Sequence, residues 1–536
     1  MKRITPEVLT SPLFCLKLVA VGILLRLVHL LENRSLWLDE AYVALNVLES
    51  SFQQLLYHQH IIREQAMAPL LFSLAVKGAT CLFGPAETVL RLVPFLCGVV
   101  AVYLFYRLAR QVTDGYAATL ALTLFVFCDR LIYYAAELKP YAGDVFVTVG
   151  LLWLYSRVRA APAERGRYIT LAAAGLAAIW FSYPGIMVLA AVGLITFWQT
   201  PRQTKPFCFL IGCLWLLNVG MVYKFAVRPM LSSSYIAGSI AVYFPPAPVW
   251  TAAGWRWWAQ AASGIFADPL GQPVPLISGI LLAAGAVALW GRDRSWCAVL
   301  GLPVLMTIAA ATMGKYPFHG RHLLFLTPVL LLFIACGAGV ITRASGRASM
   351  PVAILLAGLL IVQPMADAVR SAYYGREHED NRAVMQLVTE GYRPGDGIYL
   401  NTAAQYMFAY YLGRSGREAD FLQPLPVGTA QGFQGLLIGK IAIDNPEFSY
   451  EILVYDRDGR MTGKSFVGRA DLGVIREWTQ VTGPHENRVP RNWLILSHVN
   501  DDVKTAVLQG LRGKVEYGPE VSGAGAQASF FRWTDY

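Results

Sequence analysis

The sequence predicts a polytopic α-helical membrane protein that ends in a smaller, soluble α/β domain. Of its 536 residues, 55% are hydrophobic and only 15% are charged, whereas a soluble domain carries about 25% charged residues. Apolar runs close to the length of a membrane span recur along the chain and stop near residue 366. We therefore expect a transmembrane domain at 1–366 and a soluble domain at 367–536.

The apolar runs are candidate membrane spans, because a helix needs about 20 residues to cross the hydrocarbon core. They occupy residues 12–31, 67–83, 88–106, 116–130, 141–156, 168–182, 184–199, 207–225, 273–290, 296–313, 322–341 and 350–366. The loops between them hold Lys and Arg, which mark the cytoplasmic side. These basic loops lie on the same side as the basic N-terminus only if 67–83 does not cross. We therefore predict about eleven spans, with 67–83 as a juxtamembrane or re-entrant helix.

The same topology places four segments on the outer face, which we call loops 1 to 4. Loop 1 is 32–87, loop 2 is about 129–140, loop 3 is 226–272 and loop 4 is 314–321. We expect a plasma or inner membrane protein with a cytoplasmic N-terminus and an extracytoplasmic C-terminal domain. Because the inner loops carry little besides basic residues, we expect the chemistry in loops 1 to 4.

Charge and cysteine content argue against two classes of protein. The formal net charge is +10, but it resides in short loops that set membrane orientation. The sequence has no compact basic helix with interleaved aromatic residues, a pattern that would indicate nucleic-acid binding. The 8 cysteines lie in or beside apolar runs, without a CxxC motif or a Cys/His cluster. We interpret them as small apolar core residues rather than zinc ligands.

The C-terminal residues alternate between strand-like and helix-like segments. We predict strands at 397–400, 452–455 and 493–496 and helices at 381–390 and 502–511. Such alternation is typical of a small α/β domain. The region has no GxGxxG or P-loop motif, and acceptor binding, partner docking and scaffolding would each fit it.

Loop 1 contains two adjacent carboxylates, Asp39 and Glu40, between Trp37 and Tyr42. Charged side chains at a membrane are costly and are usually functional. Helix capping or an interfacial anchor would also explain the pair. Since adjacent residues on a helix point about 100° apart, we expect one of the two to face a cavity. We choose Asp39 as a base, with Glu40 supporting it.

Loops 2 and 4, together with the residue that directly follows each of them, carry a second group of polar residues. The group consists of Glu137, Lys139, Tyr141, Lys315, Tyr316, His319, Arg321 and His322. A surface ion pair in loop 2 and cations in loop 4 that reach toward lipid headgroups are the simpler interpretations. Basic clusters are nevertheless disfavoured on the outer side of a membrane, so this one calls for a further reason.

Carboxylates and cations beside a bilayer fit glycosyl transfer from a polyprenyl-phosphate sugar. The leaving lipid phosphate is a stable anion that needs cations rather than a general acid, and Arg and Lys supply them. The acceptor hydroxyl needs a base for its proton as it attacks the anomeric carbon, and a carboxylate can serve. A single displacement of this kind inverts the anomeric centre.

Residues 37–42 (Trp-Leu-Asp-Glu-Ala-Tyr) resemble the signature of the GT-C glycosyltransferase superfamily. Three further segments resemble its branch of protein O-mannosyltransferases and bacterial lipid A aminoarabinose transferases. They are 64–70 with Ala-Pro-Leu, 134–141 (Tyr-Ala-Ala-Glu-Leu-Lys-Pro-Tyr) and 316–328 with Gly-Arg-His. The resemblance covers about residues 12–345 and no motif in the C-terminal domain.

The resemblance implies a GT-C-like fold and roles for particular residues. It makes Asp39 the catalytic base beside Glu40, and Glu137 a catalytic group that orients acceptor or donor. The residues implied for the donor phosphate are Lys139, Arg321, His319, His322 and Tyr141, and those for the donor or acceptor pocket are Glu64 and Tyr316. The chain departs from the family where Ala68 precedes Pro69 in place of a double proline. No loop is long enough for the lumenal MIR domain of protein O-mannosyltransferases, and no residue specifically recognises aminoarabinose.

The sequence therefore predicts an inverting hexosyl- or pentosyltransferase of cell-envelope glycan biosynthesis. Its partners would be a polyprenyl-phosphate-linked sugar donor and a lipid, glycan or protein acceptor. We expect no cofactor and, without a compact DxD motif, no metal site, while dependence on a divalent metal stays open. One alternative is a transporter or flippase for a lipid-linked saccharide, which the sparse mid-span charge disfavours. Another is a non-catalytic assembly subunit of the same fold.

Overall fold

The computed structural model describes residues 10–57, 68–113, 115–228, 241–376, 378–393, 396–401, 403–416, 441–442, 451–455, 461–468, 491–513 and 515–534. The chain divides into two compact units. Unit 1 consists of Met1–Glu32 and Met67–Gly375, and unit 2 consists of Asn33–Ala66 and Arg376–Tyr536. Unit 2 thus combines residues 33–66 of loop 1 with the C-terminal residues, and the predicted division at residue 366 stays a prediction.

Helices make up the described part of unit 1, and unit 2 combines helices with strands. In chain order the α-helices are α1 (Pro12–Leu31), α2 (Leu38–Glu49), α3 (Phe52–Leu56), α4 (Leu70–Phe83), α5 (Glu87–Leu90), α6 (Leu92–Val112), α7 (Gly115–Phe127), α8 (Asp129–Tyr133), α9 (Tyr141–Ala160), α10 (Arg165–Phe181), α11 (Gly185–Gln199), α12 (Lys205–Val222), α13 (Ala252–Ala267), α14 (Pro275–Arg292), α15 (Arg294–Thr312), α16 (Thr327–Ala344), α17 (Ser349–Tyr374), α18 (Asn381–Gly391), α19 (Ala404–Ser415) and α20 (Asp501–Leu511). The 3₁₀ helices are Tyr134–Ala136, Ala241–Tyr243, Gly320–Leu326 and Gly346–Ala348, and a π-helical turn covers Tyr223–Val227.

Unit 1 has the helices of a polytopic membrane protein. Among the described residues, 7 segments are long and apolar enough to cross a membrane by length and composition. They are Pro12–Leu31, Leu92–Val112, Lys205–Val227, Pro275–Arg292, Arg294–Thr312, Gly320–Ala344 and Gly346–Tyr374. Gly115–Phe127 and Asp129–Ala136 together would form a further span, bent by 55°. The predicted class of membrane protein is therefore confirmed.

The other predicted spans are helices that do not meet this measure. Helix α9 carries Asp144, Arg157 and Arg159, and α10 and α11 have 17 and 15 residues, fewer than the about 20 that a crossing needs. Helix α4, which we expected not to cross, has 14 residues. The total of about eleven spans stays a prediction.

Helix α16 lies in the core of unit 1, and every residue from 327 to 339 is buried. It packs against α14 at two glycines, where a side chain on Gly285 would collide with the carbonyl of Phe333 and one on Gly337 with the carbonyl of Leu281. Small residues permit this close approach between membrane helices. The 3₁₀ helix Gly320–Leu326 leads directly into α16, so this packing fixes the end of loop 4.

Unit 2 contains a seven-stranded mixed sheet. Its strands are β1 (Gly397–Asn401), β2 (Ile441–Ala442), β3 (Glu451–Tyr455), β4 (Met461–Gly468), β5 (Arg491–Ser497), β6 (Val515–Gly523) and β7 (Ala526–Trp533). The order is β2-β3-β4-β1-β5-β7-β6. Strand β1 runs parallel to β4 and β5, while the other pairs are antiparallel. The predicted strands correspond to β1, β3 and β5, and the predicted helices to α18 and α20, so the α/β class is confirmed.

Candidate active site

Loops 2 and 4 meet at the ring of Tyr141, which is the first residue of α9. The guanidinium carbon of Arg321 lies 5.7 Å from the centre of this ring, a distance at which a cation is attracted to the aromatic face. The His322 ring lies edge-on to Tyr141, with 6.3 Å between the ring centres. Three residues predicted for the donor phosphate are therefore brought together in unit 1.

Tyr243 of loop 3 joins this group and was not predicted. Its ring stacks on His319 at 4.7 Å and lies 5.7 Å from His322. The backbone supports the contact, because Phe318 N donates to Tyr243 O at 2.9 Å. We call Tyr141, Tyr243, His319, Arg321 and His322 the Tyr141 cluster.

Gly320 gives the chain its turn between His319 and Arg321. Its φ is +42°, a left-handed conformation that favours glycine. A Cβ atom there would lie 3.3 Å from Asp268 Oδ2, and Asp268 pairs with Arg130 at 3.1 Å. The ion pair joins loop 3 to loop 2 beside the turn of loop 4, so three loops are held together at the cluster.

Tyr316, predicted for the pocket, supports the cluster from its own loop. Its hydroxyl donates to the backbone oxygen of His322 at 2.7 Å. Burial raises the pKa of this hydroxyl well above its usual range, and Asp144 and Tyr141 act in the same direction. The phenol is therefore a hydrogen-bond donor at neutral pH, and its described bond fixes the backbone that carries His322.

Glu137 and Lys139 lie inside loop 2 rather than on its surface. Glu137 is 0% exposed and Lys139 is 9% exposed, and Lys139 N donates to Glu137 O at 2.7 Å in a tight turn. A surface ion pair is therefore the wrong interpretation. Burial of charge is costly and requires compensation.

Asp39 and Glu40 belong to unit 2, in the first turn of α2. Glu40 is fully buried, whereas Asp39 is half-buried, so the two neighbours face different surroundings as helical geometry requires. Negative charge in a first turn also favours the helix dipole, so capping and catalysis do not exclude each other here. The predicted assembly of these carboxylates with Glu137, Lys139 and Arg321 stays a prediction.

Sequence reasoning missed the residues that surround the start of α2. The Trp37 ring lies 5.2 Å from His378 and 6.4 Å from His498, and the Tyr42 ring packs edge-on against Tyr406 at 4.4 Å. A signal existed in the charged run 376–382, which directly follows the last apolar helix. Glu64 lies outside the described residues.

The described residues contain no group of three or more His, Cys, Asp or Glu side chains that could hold a metal ion. Metal dependence stays open. Unit 1 also has an apolar cleft of about 430 Å³ between α4, α6, α9 and α10. Leu71, Leu104, Phe146, Trp153 and Phe181 are among the residues that line it.

Residues 67–223 match the family model described as dolichyl-phosphate-mannose-protein mannosyltransferase. The match includes loop 2 but less than half of the chain. No curated protein matches the sequence.

The crystal structure of ArnT from Cupriavidus metallidurans in the apo state is similar, with a TM-score of 0.53 and 13% identity over 96% of this chain and 97% of that one. This chain has the ArnT fold. The predicted GT-C-like fold is thereby confirmed, although such low identity shows the fold alone.

Two further structures are more distant. ArnT bound to undecaprenyl phosphate has a TM-score of 0.48 and 11% identity over 96% of this chain and 98% of that one. The oligosaccharyltransferase of Archaeoglobus fulgidus in the apo form has a TM-score of 0.45 and 12% identity over 74% of this chain. The match spans 64% of that archaeal protein.

Proposed function

We propose that the protein is an inverting glycosyltransferase that moves a sugar from a polyprenyl-phosphate donor to an acceptor hydroxyl. The observation that carries this proposal is the contact between loops 2 and 4, where Arg321 and His322 lie against Tyr141. The shared ArnT fold and the family match over 67–223 support it. The matched family is named for dolichyl-phosphate mannose, a polyprenyl-phosphate sugar, and the proposal covers both hexosyl and pentosyl transfer.

The reaction needs two kinds of group, and the chain offers both. The acceptor oxygen bonds to the anomeric carbon as the bond from that carbon to the donor phosphate breaks. Asp39 takes the acceptor proton, with Glu40 supporting it and Glu137 orienting acceptor or donor. Polyprenyl phosphate leaves as an anion, stabilised by Arg321, Lys139 and the histidines of the Tyr141 cluster.

The apolar cleft of unit 1 supports a lipid donor. Its described lining is almost wholly apolar, with aromatic rings from Phe146, Trp153 and Phe181. A prenyl chain buries its apolar surface favourably against such a lining. In this proposal the N-terminus is cytoplasmic, and loops 1 to 4 and the domain 367–536 lie on the outer face, where the acceptor is a lipid, glycan or protein.

The test uses the full-length protein in proteoliposomes that contain polyprenyl-phosphate sugars and extracted cell-envelope lipids and glycans. We expect sugar transfer with inversion at the anomeric carbon, read by mass spectrometry and NMR of the product. The acceptor is identified as the envelope glycan that loses one sugar in cells without this protein.

The same proteoliposomes separate the alternatives. Movement of the donor headgroup across the bilayer without transfer would overturn the proposal in favour of a flippase. An assembly subunit would be favoured by two results together. In proteoliposomes the protein would bind the donor without moving or transferring it, and in cells it would restore the glycan only when a partner protein is also present.

A further inference from the structure

Helix α2 lacks a cap of its own. The first N–H groups of a helix have no partner within it, and the N-cap residue Trp37 makes no side-chain cap bond. Leu38 N instead donates to Glu379 Oε2 at 3.1 Å, across 341 residues of sequence. A carboxylate at this position also favours the helix dipole. The residue that caps α2 therefore comes from the C-terminal part of unit 2.

Glu379 is itself held rigidly. Its side chain is 4% exposed, and three further groups contact its carboxylate. Asn381 Nδ2 donates at 2.9 Å, Ser497 Oγ lies at 3.1 Å and His498 Nδ1 lies at 2.7 Å. A buried carboxylate with this many hydrogen bonds has a well-defined position, so it is a firm cap for Leu38.

The chain just before α2 is fixed by the same surroundings. Asn381 Nδ2 donates to Leu36 O at 2.9 Å, and Leu36 N donates to the hydroxyl of Tyr411 at 3.0 Å. Peptide groups at Leu36 and Leu38 are thus both held by the C-terminal part of unit 2. Asp39 is the next residue, so its backbone direction is set by these bonds.

The bonds trace back to the sheet. Ser497 ends β5 and Asn401 ends β1, and these two parallel strands are neighbours. Ser497 N donates to Asn401 Oδ1 at 2.9 Å, and Asn401 Nδ2 donates to Ser497 O at 2.8 Å. In open α/β sheets the carboxyl edge of parallel strands is where ligands usually bind. Here the chain's own residues Leu36 and Leu38 are held at that edge.

We propose that Glu379 is a positioning residue for the transfer reaction, which fixes the start of α2 and thereby the direction of the Asp39 carboxylate. The residues at the carboxyl edge of β1 and β5 that hold Glu379 then support the base, whereas the opposite end of the sheet, near Asp396, does not. This role rests on the proposed function of Asp39 as the base.

The experiment compares Glu379→Ala and Glu379→Gln in the full-length protein. We expect Glu379→Ala to lower kcat at least about tenfold with little change in the KM for the donor, since misplacement of a reacting group has effects of this size. We expect Glu379→Gln to stay within about threefold of the wild type, because its amide oxygen can still accept from Leu38 N–H. Hydrogen exchange of residues 36–42 should be about tenfold faster in Glu379→Ala and unchanged in Glu379→Gln.

Asp396→Ala is the matched control. Asp396 is another buried carboxylate of unit 2, with described bonds to Arg393, Arg491 and Trp493. We expect this variant to destabilise the sheet while kcat per folded protein and exchange at 36–42 stay near the wild type. Normal exchange at 36–42 or a wild-type kcat in Glu379→Ala would overturn the proposal, as would an equal loss of kcat in Asp396→Ala.

The exchange measurement also separates this proposal from the proposed function. Absence of transfer by the wild-type protein would overturn the proposed function and, with it, the positioning role, even if exchange shows that Glu379 caps α2. If the wild-type protein transfers sugar and Glu379→Ala has the same kcat, only the positioning role is overturned and the proposed function stands.

Discussion

The Tyr141 cluster and the surroundings of Glu379 use their polar groups in opposite ways. In the cluster, His319 is exposed and Arg321 and His322 are half-buried, and their described contacts are largely with aromatic rings. Glu379, by contrast, is buried, and both of its oxygens are engaged by groups of the same unit. An anion-binding surface keeps donors accessible, whereas a structural network uses them internally. The difference favours ligand contact for the first region and positioning for the second, and both roles stay proposals.

The largest expected effect tests whether Asp39 belongs with the reacting groups. Asp39→Asn keeps the shape of the side chain but removes the base, so we expect transfer to fall about a thousandfold. The thermal midpoint should fall only slightly, because the variant leaves the described bonds of Leu38 intact and the lost charge in the first turn is worth about 0.3–1 kcal/mol. Glu49→Gln, at the exposed end of the same helix, is the matched control and should transfer normally. Full transfer by Asp39→Asn would rule out its role as the base.

The next effect tests the Tyr141 cluster as the donor-phosphate site. We expect Arg321→Ala to lower kcat/KM for the donor about a hundredfold, because a charge-assisted contact to the leaving phosphate is lost. The kcat/KM of Arg321→Lys should lie between those of the wild type and Arg321→Ala, since Lys keeps the charge but not the planar, two-pronged geometry.

The control for Arg321 is Arg256→Ala on α13, an exposed arginine of loop 3 that removes the same charge outside the cluster. Initial rates at varied donor concentration measure both variants. Equal losses in the two variants would mean that the cluster contributes only general surface charge.

A smaller effect isolates the ring beneath Arg321. Tyr141→Ala removes the aromatic face that lies 5.7 Å from the guanidinium carbon, and a cation–π contact is worth about 0.5–2 kcal/mol. We expect kcat/KM for the donor to fall about tenfold, and Tyr141→Phe to stay near the wild type because it keeps the ring. A loss in Tyr141→Phe as large as in Tyr141→Ala would instead assign the role to the hydroxyl.

The two regions also differ in how far the sequence predicts them. Apolar length and loop charge are local properties, so they predict the helices of unit 1. Short motifs in loops 2 and 4 identify Glu137, Lys139, Arg321 and their neighbours as candidate site residues. Tyr243 escapes such reasoning, because it joins the cluster through a backbone bond from Phe318 that requires no particular side chain.

The surroundings of Glu379 lie further from what a sequence can predict. Leu38 and Glu379 are 341 residues apart, and no period or spacing links a helix start to a carboxylate at that distance. Strand β6 is also invisible to hydropathy, because residues 516–520 are exposed and lack apolar alternation. Strand β5 is buried along most of its length, so its apolar residues make it predictable from hydropathy.

The smallest expected effect is on stability and belongs to unit 2 alone. Burial lowers the pKa of His378, and Arg34 acts in the same direction. Folding therefore favours the neutral ring, so its contribution to stability is present above the unfolded pKa of about 6.5. It is lost as the pH falls below that value toward the lower folded pKa.

We expect the thermal midpoint to drop between pH 7.5 and pH 5.5, and to drop less in His378→Asn. An identical drop in both proteins would show that another group carries the pH dependence of stability. Sugar transfer by His378→Asn at pH 7.5 should remain near that of the wild type, because this histidine serves stability rather than the reaction.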